Sequence, residues 1–467
     1  MATSAAKDVT LTNIGSVALG ITSITASGDF AQTNDCPASL VAGAHCTIHV
    51  SFTPTVAGAR TGLLSIMTDA NLLPVTVSLS GSGVGAPAGG LPRLSISGNQ
   101  FVDPQGNKVR LHSVNWFGAE GTNYTPHGTW ARKWTDILAQ IKGMGFNCIR
   151  LPFSGDICNT TTTPPGTAID AAQNPDLVGK TAIQIIDMIV DWCQTNGVYI
   201  VLDHHRCVAT GGNGTDGWPD TGGATGSYSA ATWHSHWVFL ANRYKDNTAV
   251  VGADIHNEPY KPTWSQWATL AEACGNAILA AAPEWLIFVE GVGQNSDSTS
   301  YWWGGALKDV ATRPIALLVA NKVVYSPHDY GVSVSSQNWL ATDGSAPDNW
   351  PTNLYSVFST NWGFIFEQNI APIWIGEAGG KFGVDGSGNA TVANGTPESA
   401  WFSNLVKYLN GDFNGDATND LTGGKKGMSM AYWCFNPNSG DTGGLVRDDW
   451  TTPQSVKLAL LAPFLSA

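Results

Sequence analysis

From residue 111 onward, short apolar runs alternate with longer amphipathic stretches. The apolar runs are Leu111–Trp116, Asn147–Pro152, Val198–Asp203, Val251–His256, Leu286–Glu290, Val323–Ser326, Pro372–Gly376 and Met428–Phe435. They are nearly continuous in hydrophobic residues, as strands buried on both faces must be. Helical periodicity marks Trp130–Met144, Thr181–Thr195, Ala230–Lys245, Trp264–Ala281 and Pro397–Asn410 between them. A hairpin-like entry over Leu94–Ile96, Phe101–Val102 and Val109–Leu111 precedes the first run. Eight alternating units predict a (β/α)8 barrel with loop insertions. A doubly wound open sheet would carry a glycine-rich phosphate loop after an early strand, and none is present.

The N-terminal segment, 1–84, follows a different rhythm. Apolar and polar positions alternate in pairs, clearest in Thr47–Phe52 and Val75–Leu79. Strands are predicted at Val9–Leu11, Val17–Thr25, Cys46–Phe52, Gly62–Thr68 and Pro74–Leu79, a spacing that suggests a small β-sandwich. The run Gly81–Gly90, GSGVGAPAGG, reads as a flexible linker. The chain is therefore expected to be multidomain: a sandwich over 1–84, a linker over 85–91 and a barrel over 92–467. Cys36 and Cys46 bracket a turn-rich segment and are disulfide candidates.

Composition sharpens the division. All 19 tryptophans fall from Trp116 onward, whereas segment 1–84 holds no Trp or Tyr. Only 13% of the 467 residues are charged and the net charge is −13. That balance argues against disorder and against a basic nucleic-acid surface. No stretch of 18 apolar residues is present, so no membrane-spanning helix is expected. Many Trp and few charges suit a neutral, polar ligand such as a sugar.

In such a barrel the chemistry gathers at the carboxyl ends of the strands. Reading those ends in turn gives Arg150, Asp203-His204-His205, His256-Asn257-Glu258-Pro259, Glu290, His328-Asp329-Tyr330, Glu377 and Trp433. Glu258 and Glu377 end strands four and seven, so they can face each other across the mouth. Glycosidic bond cleavage needs two carboxyl groups flanking the bond.

The segments NWFG (115–118), IRLPFS (149–154), VLDHHR (201–206), DIHNEP (254–259), WLIFVEGV (285–292), SYWWGG (300–305), VYSPHDY (324–330), PIWIGE (372–377) and YWCFNPNSGDTGG (432–444) occur in this order. On them, the chain from about Leu94 to Pro463 resembles the family 5 glycoside hydrolases, and within them bacterial secreted endo-β-1,4-glucanases. The resemblance implies Glu258 as acid/base, with Asn257 beside it holding the sugar 2-hydroxyl. It implies Glu377 as nucleophile, with Tyr330 bonded to it, Arg150 keeping it ionised, and His205 and His328 in support. Trp433 would stack under the cleaved sugar, and Trp116, Trp302 and Trp303 would line neighbouring subsites. The implied reaction proceeds by double displacement on cellulose or a related β-glucan, without cofactor or metal. Mannan, xyloglucan and mixed-linkage glucan are alternative substrates; a non-catalytic carbohydrate-binding or adhesion protein is the alternative of another class. On the pattern that includes Cys36, Leu40, Gly43, Cys46, Ile48, Val50 and Phe52, segment 1–84 resembles the Ig-like accessory domains of bacterial surface and secreted proteins; without an aromatic platform for sugar stacking, it is expected to be structural or a spacer.

Two departures from the family pattern bear on the cleft. Ala378 stands where many relatives have Phe, which would widen the cleft, and Phe435 stands where many have Trp. Cys158 and Cys207 follow strands two and three and are further disulfide candidates. Asp412, Asn414, Asp416 and Asp420 are spaced like half a calcium loop, but Ala417 and Gly423 occupy positions that need Gly and Glu, so a solvated acidic loop is expected. No histidine spacing matches a zinc site. A polymeric substrate and disulfides place the protein outside the cell, although Met1–Asp8 has no apolar signal core. A monomer is expected, with no nucleic-acid or membrane partner.

Overall fold

The computed structural model describes residues 4, 6–53, 58–70, 74–83, 91–211, 228–391 and 395–467. The chain divides into two compact units, Met1–Leu91 and Pro92–Ala467. The expected linker, 85–91, lies outside the described residues except for Leu91.

Among the described residues the first unit has seven strands: β1 (Lys7–Thr12), β2 (Leu19–Ala26), β3 (Phe30–Asn34), β4 (Ser39–Leu40), β5 (His45–Phe52), β6 (Gly58–Thr68) and β7 (Val75–Gly83). They form two antiparallel sheets, in the orders β1-β5-β3 and β4-β2-β6-β7. Alternation drives their packing. Ile48 and Val50 of β5 meet Leu64 and Ile66 of β6 in one buried cluster, with Val9, Leu11, Ile24, Phe30, Val77 and Leu79 around it. Cys36 and Cys46 are joined by a disulfide. Strands β3 and β4 escape the sequence pattern because Phe30–Asn34 is mostly polar and β4 is only Ser39 and Leu40.

The second unit begins with a small antiparallel sheet, β8 (Ser95–Ser97), β9 (Gln100–Val102) and β10 (Lys108–Val109). Eight parallel strands follow: β11 (His112–Asn115), β12 (Cys148–Ser154), β13 (Tyr199–Arg206), β14 (Val250–Asp254), β15 (Leu286–Val289), β16 (Val323–Tyr325), β17 (Trp374–Ala378) and β18 (Ser429–Tyr432). Each pairs with its sequence neighbour, and β18 returns to β11. Single bridges, Tyr325 to Ile373 and His328 to Glu377, close the ring between β16 and β17. All eight coincide with the apolar runs of the sequence. The helices are α1 (Trp134–Gly143), α2 (Ala182–Asn196), α3 (Ala230–Tyr244), α4 (Trp264–Ala281), α5 (Asn353–Phe358), α6 (Phe364–Glu367), α7 (Gly395–Leu409) and α8 (Ser455–Leu465).

The helical layer is uneven. Between β15 and β16 the described helical structure is one 3-10 turn, Lys308–Ala311. The segment 353–367 is helical but interrupted by a π-helical turn at Ser359–Gly363, and α8 carries Pro463 and apolar residues on all sides. Neither shows the clean helical period that marks the other helices.

Two disulfide candidates are corrected here. Cys158 and Cys207 both remain thiols. The Cys158 thiol instead points at the His236 carbonyl, 3.9 Å away on α3, and burial raises its pKa. The acidic run 412–420 satisfies itself: Asp412 accepts from the N–H groups of Gly415 and Ala417, and Asp420 from that of Phe413.

Candidate active site

Parallel register brings the strand ends to one level. Arg150 on β12 pairs across to Asn115 on β11, and Asp203 on β13 pairs with Asp254 on β14. Side chains alternate along a strand, so these residues can share the barrel interior. Arg150 is fully buried, and four carboxylates surround its guanidinium. Its Nε donates to Asp254 Oδ2 at 2.8 Å and its Nη1 to Glu377 Oε1 at 2.5 Å. Its Nη2 lies 3.1 Å from Asp203 Oδ1 and 3.0 Å from Glu290 Oε1, and donates to Asn257 Oδ1 at 2.9 Å. Asp203, Asp254 and Glu290 converge closely enough to hold a metal ion. The cation among them is Arg150 itself.

Glu377 is gripped from several sides. Tyr330 donates its hydroxyl to Oε2, His328 Nδ1 lies 3.7 Å from the same oxygen, and His205 Nδ1 lies 3.9 Å from Oε1. Burial alone would raise its pKa. The charges of His328, Arg150 and His205, with the Tyr330 hydrogen bond, outweigh burial and hold Glu377 below the usual carboxylate range.

Glu258 stands opposite. Its backbone adopts φ 48°, a region sparsely used by non-glycine residues. Its N–H is held there by Glu290 Oε2 at 2.7 Å. Its Oε1 lies 3.0 Å from His328 Nδ1. Burial, together with the charges of Glu377 and Glu290, raises its pKa against the lowering effect of His328. His328 sits between the carboxyls and is fully buried. Burial opposes its protonation, but Glu290, Glu377 and the bond to Glu258 keep its pKa well above the ordinary imidazole value. Oxygens of Glu258 and Glu377 and a nitrogen of His328 all lie within 4.8 Å of one another.

This centre opens into a cleft of about 620 Å³. Trp433 in the lining lies nearly parallel to Phe117 (7°, centroids 5.4 Å apart) and to His205 (11°, 5.6 Å). Trp303, also in the lining, stacks on Tyr260 with centroids 4.1 Å apart. Glu120, Arg206, Tyr301, Ser439 and Asp441 supply polar groups to the walls.

The profile of the cellulase family, glycosyl hydrolase family 5, matches residues 102–439. The chain belongs to that family. Among its relatives is an endoglucanase of Paenibacillus polymyxa, 42% identical over 76% of this chain and 82% of that one. The major extracellular endoglucanase of Xanthomonas campestris pv. campestris is 36% identical over 79% of this chain and 71% of that one. The structure of an endocellulase variant from Pyrococcus horikoshii in complex with cellotetraose superposes with a TM-score of 0.68. It is 32% identical and covers 80% of this chain and 98% of that one.

Within this family 5 barrel, most residues singled out in the sequence meet at one place: Arg150, His205, Asn257, Glu258, His328, Tyr330, Glu377 and Trp433 all line the cleft or touch a residue that does. Trp116 does not. Its indole is fully buried and donates to the His127 carbonyl at 2.9 Å; alternation turns the next residue, Phe117, to the cleft instead. Trp302 lines the wall at only 7% exposure, whereas Trp303 is 45% exposed. Ala378 and Phe435 are also fully buried, so neither shapes the cleft. Phe117 and Tyr260 were not singled out, although both sit inside or beside the quoted segments. Neither Asp203, Asp254 nor Glu290 stands out as a ligand of Arg150 until register places three strands side by side.

Proposed function

We propose that the chain is a retaining endo-β-1,4-glucanase acting outside the cell, with Glu377 as nucleophile and Glu258 as acid/base. The observation that carries this reading is the pair of carboxyls at short range, one bound by cations and a hydroxyl, the other by burial and His328. Retaining glycosidases hold their carboxyls about 5–5.5 Å apart, and inverting ones roughly 6.5–9.5 Å, leaving room for a water. Oxygens within 4.8 Å fit the shorter class.

In the first step Glu377 attacks the anomeric carbon while Glu258 gives its proton to the departing oxygen. A covalent glycosyl-enzyme forms and the sugar-oxygen bond breaks. In the second, ionised Glu258 takes a proton from water, the water oxygen bonds to the anomeric carbon, and Glu377 leaves as carboxylate. Two inversions give net retention. Arg150 and Tyr330 stabilise Glu377 as an anion at both ends of the cycle. Trp433 offers an apolar face to the C–H side of a sugar ring, and Asn257, which lines the cleft, holds the 2-hydroxyl.

The endoglucanase relatives and the cellotetraose complex support a β-1,4-glucan substrate, and the extracellular relative supports secretion. The first unit, an Ig-like sandwich without Trp or Tyr, serves as an accessory spacer. Hydrolysis of carboxymethyl-cellulose, barley glucan and mannan tests the substrate, with Glu377→Gln as control. Fastest cleavage of mannan would overturn the glucanase assignment, and no cleavage of any would overturn the enzymatic one.

The proton affinities fix the pH profile. Activity requires Glu377 ionised and Glu258 protonated. It therefore rises as pH climbs through the lowered pKa of Glu377 and falls through the raised pKa of Glu258. The expected kcat/KM profile is a bell whose limbs lie below and above the ordinary glutamate value and belong to the coupled pair. A profile with its acid limb above that value contradicts the assignment.

A further inference from the structure

Asp329 lies between His328 and Tyr330, both of which touch the reacting carboxyls. Alternation sends its own side chain the other way, behind the cleft wall. There it is completely buried, and three donors converge on it. The Tyr301 hydroxyl donates to Oδ2 at 2.6 Å, Trp362 Nε1 to Oδ2 at 3.3 Å and Trp401 Nε1 to Oδ1 at 3.0 Å. These donors come from three places: the loop after β15, the π-helical turn and α7. All three are neutral, and no ion pair to a cation reaches this carboxylate among the described residues. Its backbone N–H donates to the Glu377 carbonyl at 3.0 Å. The same short stretch thus bonds to Glu377 through its backbone and to three outer elements through one side chain.

Burying a carboxylate without a cation is costly, and an apolar residue would pack the same space without that cost. What the carboxylate adds is a fixed direction: three N–H and O–H groups hold it in one orientation. We propose that Asp329 is a positioning residue that holds His328 and Tyr330 against Glu377. The adjoining contacts agree with this. One turn before Trp401 on α7, Glu398 accepts from the N–H and hydroxyl of Ser333, fastening the next part of the same loop. Helix α7 therefore backs the 328–333 stretch at two points. Burial lifts Asp329 to about 7 against the three donors.

This inference rests on the nucleophile reading of Glu377, so the two are tested side by side. Asp329→Asn keeps the shape but turns an N–H₂ toward donors that need an acceptor. Expected is a fall in kcat of about 10²-fold, the size a small misplacement produces, with KM changed less than about threefold because the Trp433 and Trp303 platforms are untouched. The acid limb of the kcat/KM profile is expected to move to higher pH, since Glu377 loses part of its cationic and hydroxyl support. Trp401→Phe removes one donor and keeps the carboxyl; a smaller fall in kcat with the same upward movement is expected, and it serves alone if Asp329→Asn does not fold. A folded Asp329→Asn or Trp401→Phe with wild-type kcat and acid limb overturns the proposal, as does a limb that moves down. If Glu377→Gln is as active as the parent, the nucleophile reading itself has failed; if that variant is inactive while Asp329→Asn is normal, only the positioning role has.

Discussion

Replacing Glu377 by Ala is expected to lower kcat on cello-oligosaccharides by on the order of 10⁵-fold, the scale seen when a residue acting as part of a catalytic unit is removed. The loss should be partly reversed by sodium azide. The small anion occupies the space of the missing carboxylate and bonds to the anomeric carbon from the same side, while Glu258 still protonates the leaving oxygen. One inversion then yields the α-glycosyl azide. Glu258→Ala should behave differently. The glycosyl-enzyme still forms from substrates with good leaving groups, and azide then displaces Glu377 to give the β-glycosyl azide. The two products, separated by NMR, assign the two roles independently. Exchanged products would mean that the roles are reversed, and no azide product from either variant would contradict covalent catalysis.

The second large effect is expected at Arg150. Arg150→Met conserves much of the volume but leaves Asp203, Asp254, Glu290 and Glu377 without their shared cation. Breaking a buried ion pair by removing one partner costs about 3–5 kcal/mol, and four carboxylates make the upper end the expected value. The deficit should depend on pH. Without the guanidinium, the buried carboxyls have folded pKa values above their unfolded ones. The native state then binds more protons than the unfolded state, so the deficit is smallest at acid pH and grows as pH rises through those values. Urea unfolding of variant and parent at several pH values measures it. A difference below about 1 kcal/mol that does not vary with pH would show that the carboxylates find other compensation.

These two expectations draw on different depths of the sequence. The barrel was legible because parallel strands covered on both faces must be apolar throughout, which the eight runs are. Glu258 and Glu377 were legible because strand ends are the one place where an apolar barrel tolerates such groups. Parity was harder. NWFG shows that an aromatic belongs near the cleft, but whether Trp116 or Phe117 faces it depends on which side of β11 points inward, and the buried Trp116 shows the outcome. The setting of Arg150 is non-local: Asp203, Asp254 and Glu290 belong to three later β–α units of the chain, and only strand register unites them with β12. Cys158 and Cys207 lie in neighbouring loops, yet proximity of loops does not orient thiols toward each other. Segment 353–367 and helix α8 stayed hidden because interrupted or uniformly apolar patterns lack a period to read.

The central claim, two carboxyls working by double displacement, is tested most directly by the stereochemistry of the first product. Cellopentaose is hydrolysed in an NMR tube with enough enzyme to outrun mutarotation, and the anomeric proton of the newly formed reducing end is followed from the first spectrum. Early accumulation of the β-anomer, decaying to the equilibrium mixture, is the result expected from carboxyls this close. Early accumulation of the α-anomer would mean a single displacement by water and would contradict the account.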